Sequence, residues 1–195
     1  MKKWLLVGVG ALIILAGAFY ALNSYIYNEK QAVAVSDYKN GEYIIGGQRV
    51  KLENGVAETE AASGSEKIAT KYFGNEAIAD LNNDGRADIV FLLTQNTGGS
   101  EIYYNVVAAV NTDRGYVGSE AFLLGDRIAP QTTEISRNPI HKNVIVVNYA
   151  ERAAGEPTST APSQGKSVWL KLDPISLQFG TVEQNFEGEA DPSRM

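Results

Sequence analysis

Apolar and polar positions follow two different rules along this chain. From Trp4 to Leu22 the sequence WLLVGVGALIILAGAFYAL contains no charged residue. Nineteen residues make a helix about 28 Å long, close to the ~30 Å thickness of a bilayer's hydrocarbon core. After Gly41 the apolar runs are short, rich in Val, Ile, Tyr and Phe, and broken by turn residues every few positions. That punctuation predicts an all-β domain.

The expected strands are Glu42–Ile45, Gln48–Leu52, Val56–Glu58, Lys67–Phe73, Ala77–Ala79, Ala87–Thr94, Glu101–Val110, Tyr116–Leu124, Thr132–Ser136, Asn143–Tyr149 and Ser167–Leu172. Gly46-Gly47 and Glu53-Asn54-Gly55 read as tight turns between the first of them. Ala87–Thr94 (ADIVFLLT) is almost continuously apolar, which predicts burial on both faces. The fold class is therefore all-β, an antiparallel sandwich or open barrel of about ten short strands, preceded by one N-terminal transmembrane helix. The chain divides into an anchor over residues 1–22, a polar stalk over 23–40, the β domain over 41–182 and an acidic, disordered tail over 183–195.

Charge sets the topology. Lys2 and Lys3 precede the apolar run, whereas Glu29, Lys30 and Asp37 follow it. The positive-inside rule leaves the N-terminus in the cytoplasm and the domain outside the membrane. Trp4, and Tyr20, Tyr25 and Tyr27, suit the two interfacial belts. The alternative is a cleaved signal peptide, for which Ala16-Gly17-Ala18 supplies small residues. Cleavage there would yield a secreted or periplasmic product, and both routes export the domain.

The chain carries 17 basic and 23 acidic groups. With Lys2 and Lys3 set aside, the remainder stands at about −8. Such a surface repels phosphate backbones and argues against nucleic acid as a partner. There is no cysteine, so disulfides, thiol nucleophiles and thiolate metal sites are excluded.

One motif carries chemistry. Residues 80–88 read Asp80-Leu81-Asn82-Asn83-Asp84-Gly85-Arg86-Ala87-Asp88. Side-chain oxygens of Asp80, Asn82, Asp84 and Asp88, with the backbone carbonyl of Arg86, can converge if the loop coils tightly, and Gly85 permits the coil. Three crowded carboxylates call for a cation, and an all-oxygen flexible cage suits Ca²⁺. Phe91 stands where an EF-hand needs its bidentate Glu. An acidic turn held by its own Asx hydrogen bonds, without metal, is the other reading. The segment resembles the strand–loop–strand calcium loops of FG-GAP/VCBS-type repeats over little more than residues 73–94. That family builds β-propellers from several copies, and this chain carries one. The resemblance implies a single calcium loop. Beyond the loop, the chain looks like bacterial envelope proteins with an N-terminal anchor and one such domain.

Catalytic signatures are sparse. His141 is the only histidine and is expected on a loop surface. Glu76, Glu101, Glu120, Asp126 and Glu134 are candidates for a carboxylate pair of a hydrolase acting on envelope glycan or peptide. The stretch Glu151–Lys166 (ERAAGEPTSTAPSQGK) is long for a β connection and is a candidate contact loop for an envelope protein or glycan. Arg127 is expected to form a surface salt bridge.

Overall fold

A computed structural model describes residues 36–60 and 67–183. The predicted anchor, most of the stalk, loop 61–66 and the tail from Gln184 lie outside the described residues. Among the described residues, no helix is long and apolar enough to cross a membrane.

The structure is all-β, with antiparallel strand pairing in every sheet. The strands are β1 (Glu42–Ile45), β2 (Gln48–Lys51), β3 (Val56–Glu60), β4 (Lys67–Ala79), β5 (Asp88–Asn96) and β6 (Tyr103–Thr112). Then follow β7 (Gly115–Gly118), β8 (Phe122–Asp126), β9 (Ala129–Ile135), β10 (Val144–Glu151), β11 (Gln164–Leu172) and β12 (Phe179–Thr181). The central sheet runs β3-β4-β5-β6-β7, with β8 also paired to β6. A second sheet runs β12-β11-β10-β9, and β1-β2 is a separate hairpin. At the hairpin turn Gly46 and Gly47 both take positive φ, 57° and 80°. This is the geometry whose twist matches a two-residue hairpin.

As predicted, β5 is buried on both faces. Val90 and Leu92 face the second sheet, packing with Val106, Ile145 and Leu170. Phe91 and Leu93 face the hairpin, packing with Tyr43, Val50 and Leu52. The central sheet is thus the middle layer of three.

Strands β9 and β11 each begin three residues earlier than expected. Glu151 and residues 164–166 of the expected contact loop are paired strand. Two expected segmentations differ as well. Lys67–Phe73 and Ala77–Ala79 are one strand, because Gly74 (φ 109°) and Asn75 (φ 51°) are absorbed as bulges opposite Leu92 and Val90. Conversely, the expected strand Tyr116–Leu124 is two. Ser119 still bonds Ala108 of β6 through its N–H and hydroxyl, but the segment turns to bond β1, the Ile44 N–H donating to the Ser119 carbonyl and the Ala121 N–H to the Ile44 carbonyl. Strand β12, only three residues long, carried no pattern of its own. Asp37–Asn40, at the end of the predicted stalk, forms a capped 3-10 turn whose Tyr38 ring packs on Phe91 at 5.4 Å.

Candidate cation loop

The loop between β4 and β5 coils on itself through its own side chains. Asp80 accepts from the Asp84 and Gly85 N–H groups at 3.0 and 2.9 Å. Asn82 Oδ1 also accepts from the Asp84 N–H, at 3.0 Å, so oxygens of Asp80 and Asn82 converge on one atom. Asp84 accepts from the Arg86 N–H at 2.8 Å, from Asn82 Nδ2 at 3.0 Å and from the Arg86 guanidinium at 3.1 Å. The Arg86 backbone N–H, then Asn82, hold the Asp84 carboxyl below the usual carboxylate range. Asn83 (φ 60°) and Gly85 (φ 86°) supply the left-handed turns.

Asp88 behaves differently. Its side chain is fully buried, accepting from the Leu81 N–H at 2.8 Å and the Asn111 N–H at 2.7 Å. Burial pushes its carboxyl up, the two N–H groups pull it back, and the charges of Asp84 and Asp80 push it up further. Asp88 therefore closes the base of the loop while Asp80, Asn82 and Asp84 form its rim. Asn143 Nδ2 fastens the loop to the start of β10, donating to Asn83 Oδ1 at 3.0 Å and to the Leu81 carbonyl at 3.3 Å. Asn83 and Asn143, which tie the loop across the two sheets, are the residues that reasoning along the sequence missed. Both are Asn with φ near +60°, but their pairing spans sixty residues.

Among the described residues, no group of three or more His, Cys, Asp or Glu side chains is gathered so as to hold a metal ion. The carboxylates of the rim have N–H and guanidinium partners in the geometry described. A carboxylate offers about four lone-pair sites, so these bonds leave acceptor capacity on Asp80 and Asp84.

Of the other candidates, Glu101 and Asp126 come together around Arg127, and the rest are dispersed. Glu76 accepts from the hydroxyls of Tyr38 and Tyr72, both at 2.5 Å. Asp126 pairs with Arg127 at 2.6 Å, the expected salt bridge, and Glu101 adds its field to the same guanidinium. Glu120 accepts from Gln178 at 2.6 Å and Glu134 from Thr132 at 2.8 Å. His141 does lie in a loop but is buried, not on the surface. Its ring stands edge-on to Trp169 at 5.2 Å, because the backbone of residues 138–141 folds into a turn over that indole. The long connection after β10 is organised by Arg152. Its guanidinium donates to the carbonyls of Thr160 and Arg127, and the Ala153 N–H donates to Glu156.

No protein-family model, curated protein or solved structure matches this chain.

Proposed function

We propose that the chain is a membrane-anchored, extracytoplasmic binding or structural module, its β domain a sandwich stiffened by calcium at residues 80–88. The observation that carries this reading is the rim of the β4–β5 loop. Side-chain oxygens of Asp80 and Asn82 converge on one N–H, Asp84 lies beside them, and a buried carboxylate, Asp88, sits underneath. In this proposal Asp80, Asn82, Asp84 and the Arg86 carbonyl hold the ion, Asp88 completes or orients the set, and the Arg86 guanidinium yields its place as counter-charge to Asp84. Calcium supplies charge neutralisation and stiffness, as suits hard oxygen ligands. Through Asn83 and Asn143 that stiffness reaches the second sheet. Attachment by the uncharged run Trp4–Leu22 and export of the domain rest on the sequence. A partner, an envelope protein or glycan, is met by the exposed loops.

The test is a thermal scan of the full chain with calcium and with chelator. Calcium at a hundredfold excess over its dissociation constant adds about 2.7 kcal/mol, or roughly 5–10 °C for a domain of this size. Asp84→Ala should abolish the increment. An identical midpoint in both conditions for the native sequence removes the cation from this account.

A further inference from the structure

Two turns in this domain are built alike. In Asn138-Pro139-Ile140 the Ile140 N–H donates to Asn138 Oδ1 at 3.0 Å. In Asp173-Pro174-Ile175 the Ile175 N–H donates to Asp173 Oδ1 at 2.8 Å. Each is an Asx side chain closing a turn across a proline, whose ring fixes φ. Each is secured further. The His141 N–H donates to the Asn138 carbonyl at 2.9 Å, and the Leu177 N–H to the Asp173 carbonyl at 2.9 Å. Both turns end on an isoleucine in solvent. Ile175 is 81 % exposed and Ile140 66 %, the two highest values among the large apolar side chains described.

The two turns also share an end of the domain. One precedes β10, the other follows β11, and those strand ends are paired through Val144 and Lys171. The next most exposed, Ile78 at 64 %, sits on the last turn-ward residues of β4, beside the loop that Asn143 grips. Singly exposed isoleucines are ordinary on a protein surface. Two presented by the same rigid device at one end, with a third nearby, are a built feature.

We infer that Ile140 and Ile175 are twin tips that insert into the interfacial layer of a lipid bilayer. The inference rests on the anchored reading above, which keeps a membrane within reach. From Asn23 to Asp37 the chain spans at most about 50 Å. Separate rigid tips suit a soft interface, which needs no complementary shape, and their rigidity limits the ordering cost of insertion. Exposed Arg137, Lys142 and Lys171 stand around the tips. Asp173 on the second turn, and Asp80 and Asp84 on the loop held by Asn143, offset these bases, so the inference rests on the two apolar tips and the tether and not on charge.

The absence of native cysteine makes the test clean. The full chain is reconstituted into phosphatidylethanolamine–phosphatidylglycerol vesicles containing lipids brominated on their acyl chains. Single substitutions I140C, I175C and S159C carry a polarity-sensitive fluorophore, Ser159 lying on the β10–β11 connection at the opposite end. The expected result is quenching at 140 and 175 at least fivefold greater than at 159. Equal quenching at all three positions overturns the inference. A blue-shifted label at 140 that is not quenched by lipid, and that depends on protein density, also overturns it, in favour of a second copy of the chain. Co-flotation with the vesicles reports on the anchor separately. A chain that floats with unquenched tips loses only this inference, whereas a chain that does not float loses the anchor on which it rests.

Discussion

The two faces of the central sheet are covered by different chemistry. Toward the second sheet the fully buried side chains are aliphatic, among them Val90, Leu92, Val106, Ile145 and Leu170. Toward the β1–β2 hairpin they surround Phe91, whose ring meets those of Tyr38, Tyr43 and Tyr72 at 5.4–5.5 Å. Two full sheets offer enough matched area for aliphatic side chains to interdigitate. A two-stranded hairpin is marginal alone, so this layer relies on large rings and on hydrogen bonds from their hydroxyls. Tyr43 donates to the Tyr38 carbonyl at 2.7 Å, and Tyr38 and Tyr72 both donate to Glu76. The lesson is that a thin layer is held by a few large, directional contacts and a thick one by many small ones.

Substitutions at neighbouring positions break the two faces separately. Phe91→Ala should cost about 3–5 kcal/mol and Leu92→Ala about 2–5, measured by urea unfolding. Phe91→Ala and Tyr43→Ala, whose rings touch, should combine non-additively. Phe91→Ala and Ile145→Val, which share no cluster, should add within about 0.5 kcal/mol. If both pairs add, the aromatic layer is not a unit.

Gly118→Ala comes next. A Cβ there would stand 2.1 Å from the Glu42 carbonyl oxygen and 2.7 Å from the Tyr43 ring, so the hairpin must lift. The expected loss is about 1–3 kcal/mol, with enhanced hydrogen exchange in β1 and β2 and unchanged protection in β10 and β11. Equal loss of protection in both layers would show the hairpin and the second sheet to be one cooperative unit.

The smallest effects are those of acid, and they differ in sign. Burial raises Glu76, but the hydroxyls of Tyr38 and Tyr72 and the charge of Lys39 outweigh it, leaving the carboxyl below its ordinary 4.5. Its contribution is present above 4.5 and lost as pH falls through the folded value. The same contacts act on the phenols: burial, then Glu76, pushes Tyr72 up to about 12. Asp88, on the aliphatic side, lies above its ordinary 3.8. The folded state binds that proton more tightly, so this term is full below 3.8 and fades as pH rises through the folded value. Tyr38→Phe should cost about 1 kcal/mol at neutral pH and flatten the loss of stability just below pH 4.5. Asp88→Asn should remove the opposing rise on acidification, read from unfolding midpoints between pH 3 and 7. An unchanged acid limb in Tyr38→Phe would mean that the Tyr38–Glu76 bond carries none of this dependence.

Reading along the sequence found the strands that alternate strongly or are wholly apolar, such as β5, β10 and the hairpin β1–β2. It also found the residues of the acidic loop, because their spacing is local. It misplaced the breaks at Gly74-Asn75 and Ser119–Ala121. Whether a glycine ends a strand or bulges within it depends on the neighbouring strand, and β5 keeps pairing past the insertion. The surface expectation for His141 failed for the same reason, since Trp169 lies 28 positions away on another strand.

The sequence by itself determined the β class, the alternation that buries β5 twice, and the oxygen-rich loop at 80–88, all set by periodicities and spacings within a few residues. Only the tertiary structure decided which layer covers each face, that Asp88 turns inward while Asp80 and Asp84 form a rim, and that Asn83 meets Asn143. The physical reason is that partners far apart in the chain are chosen by how sheets stack, and the pattern along one strand records burial without naming what does the burying.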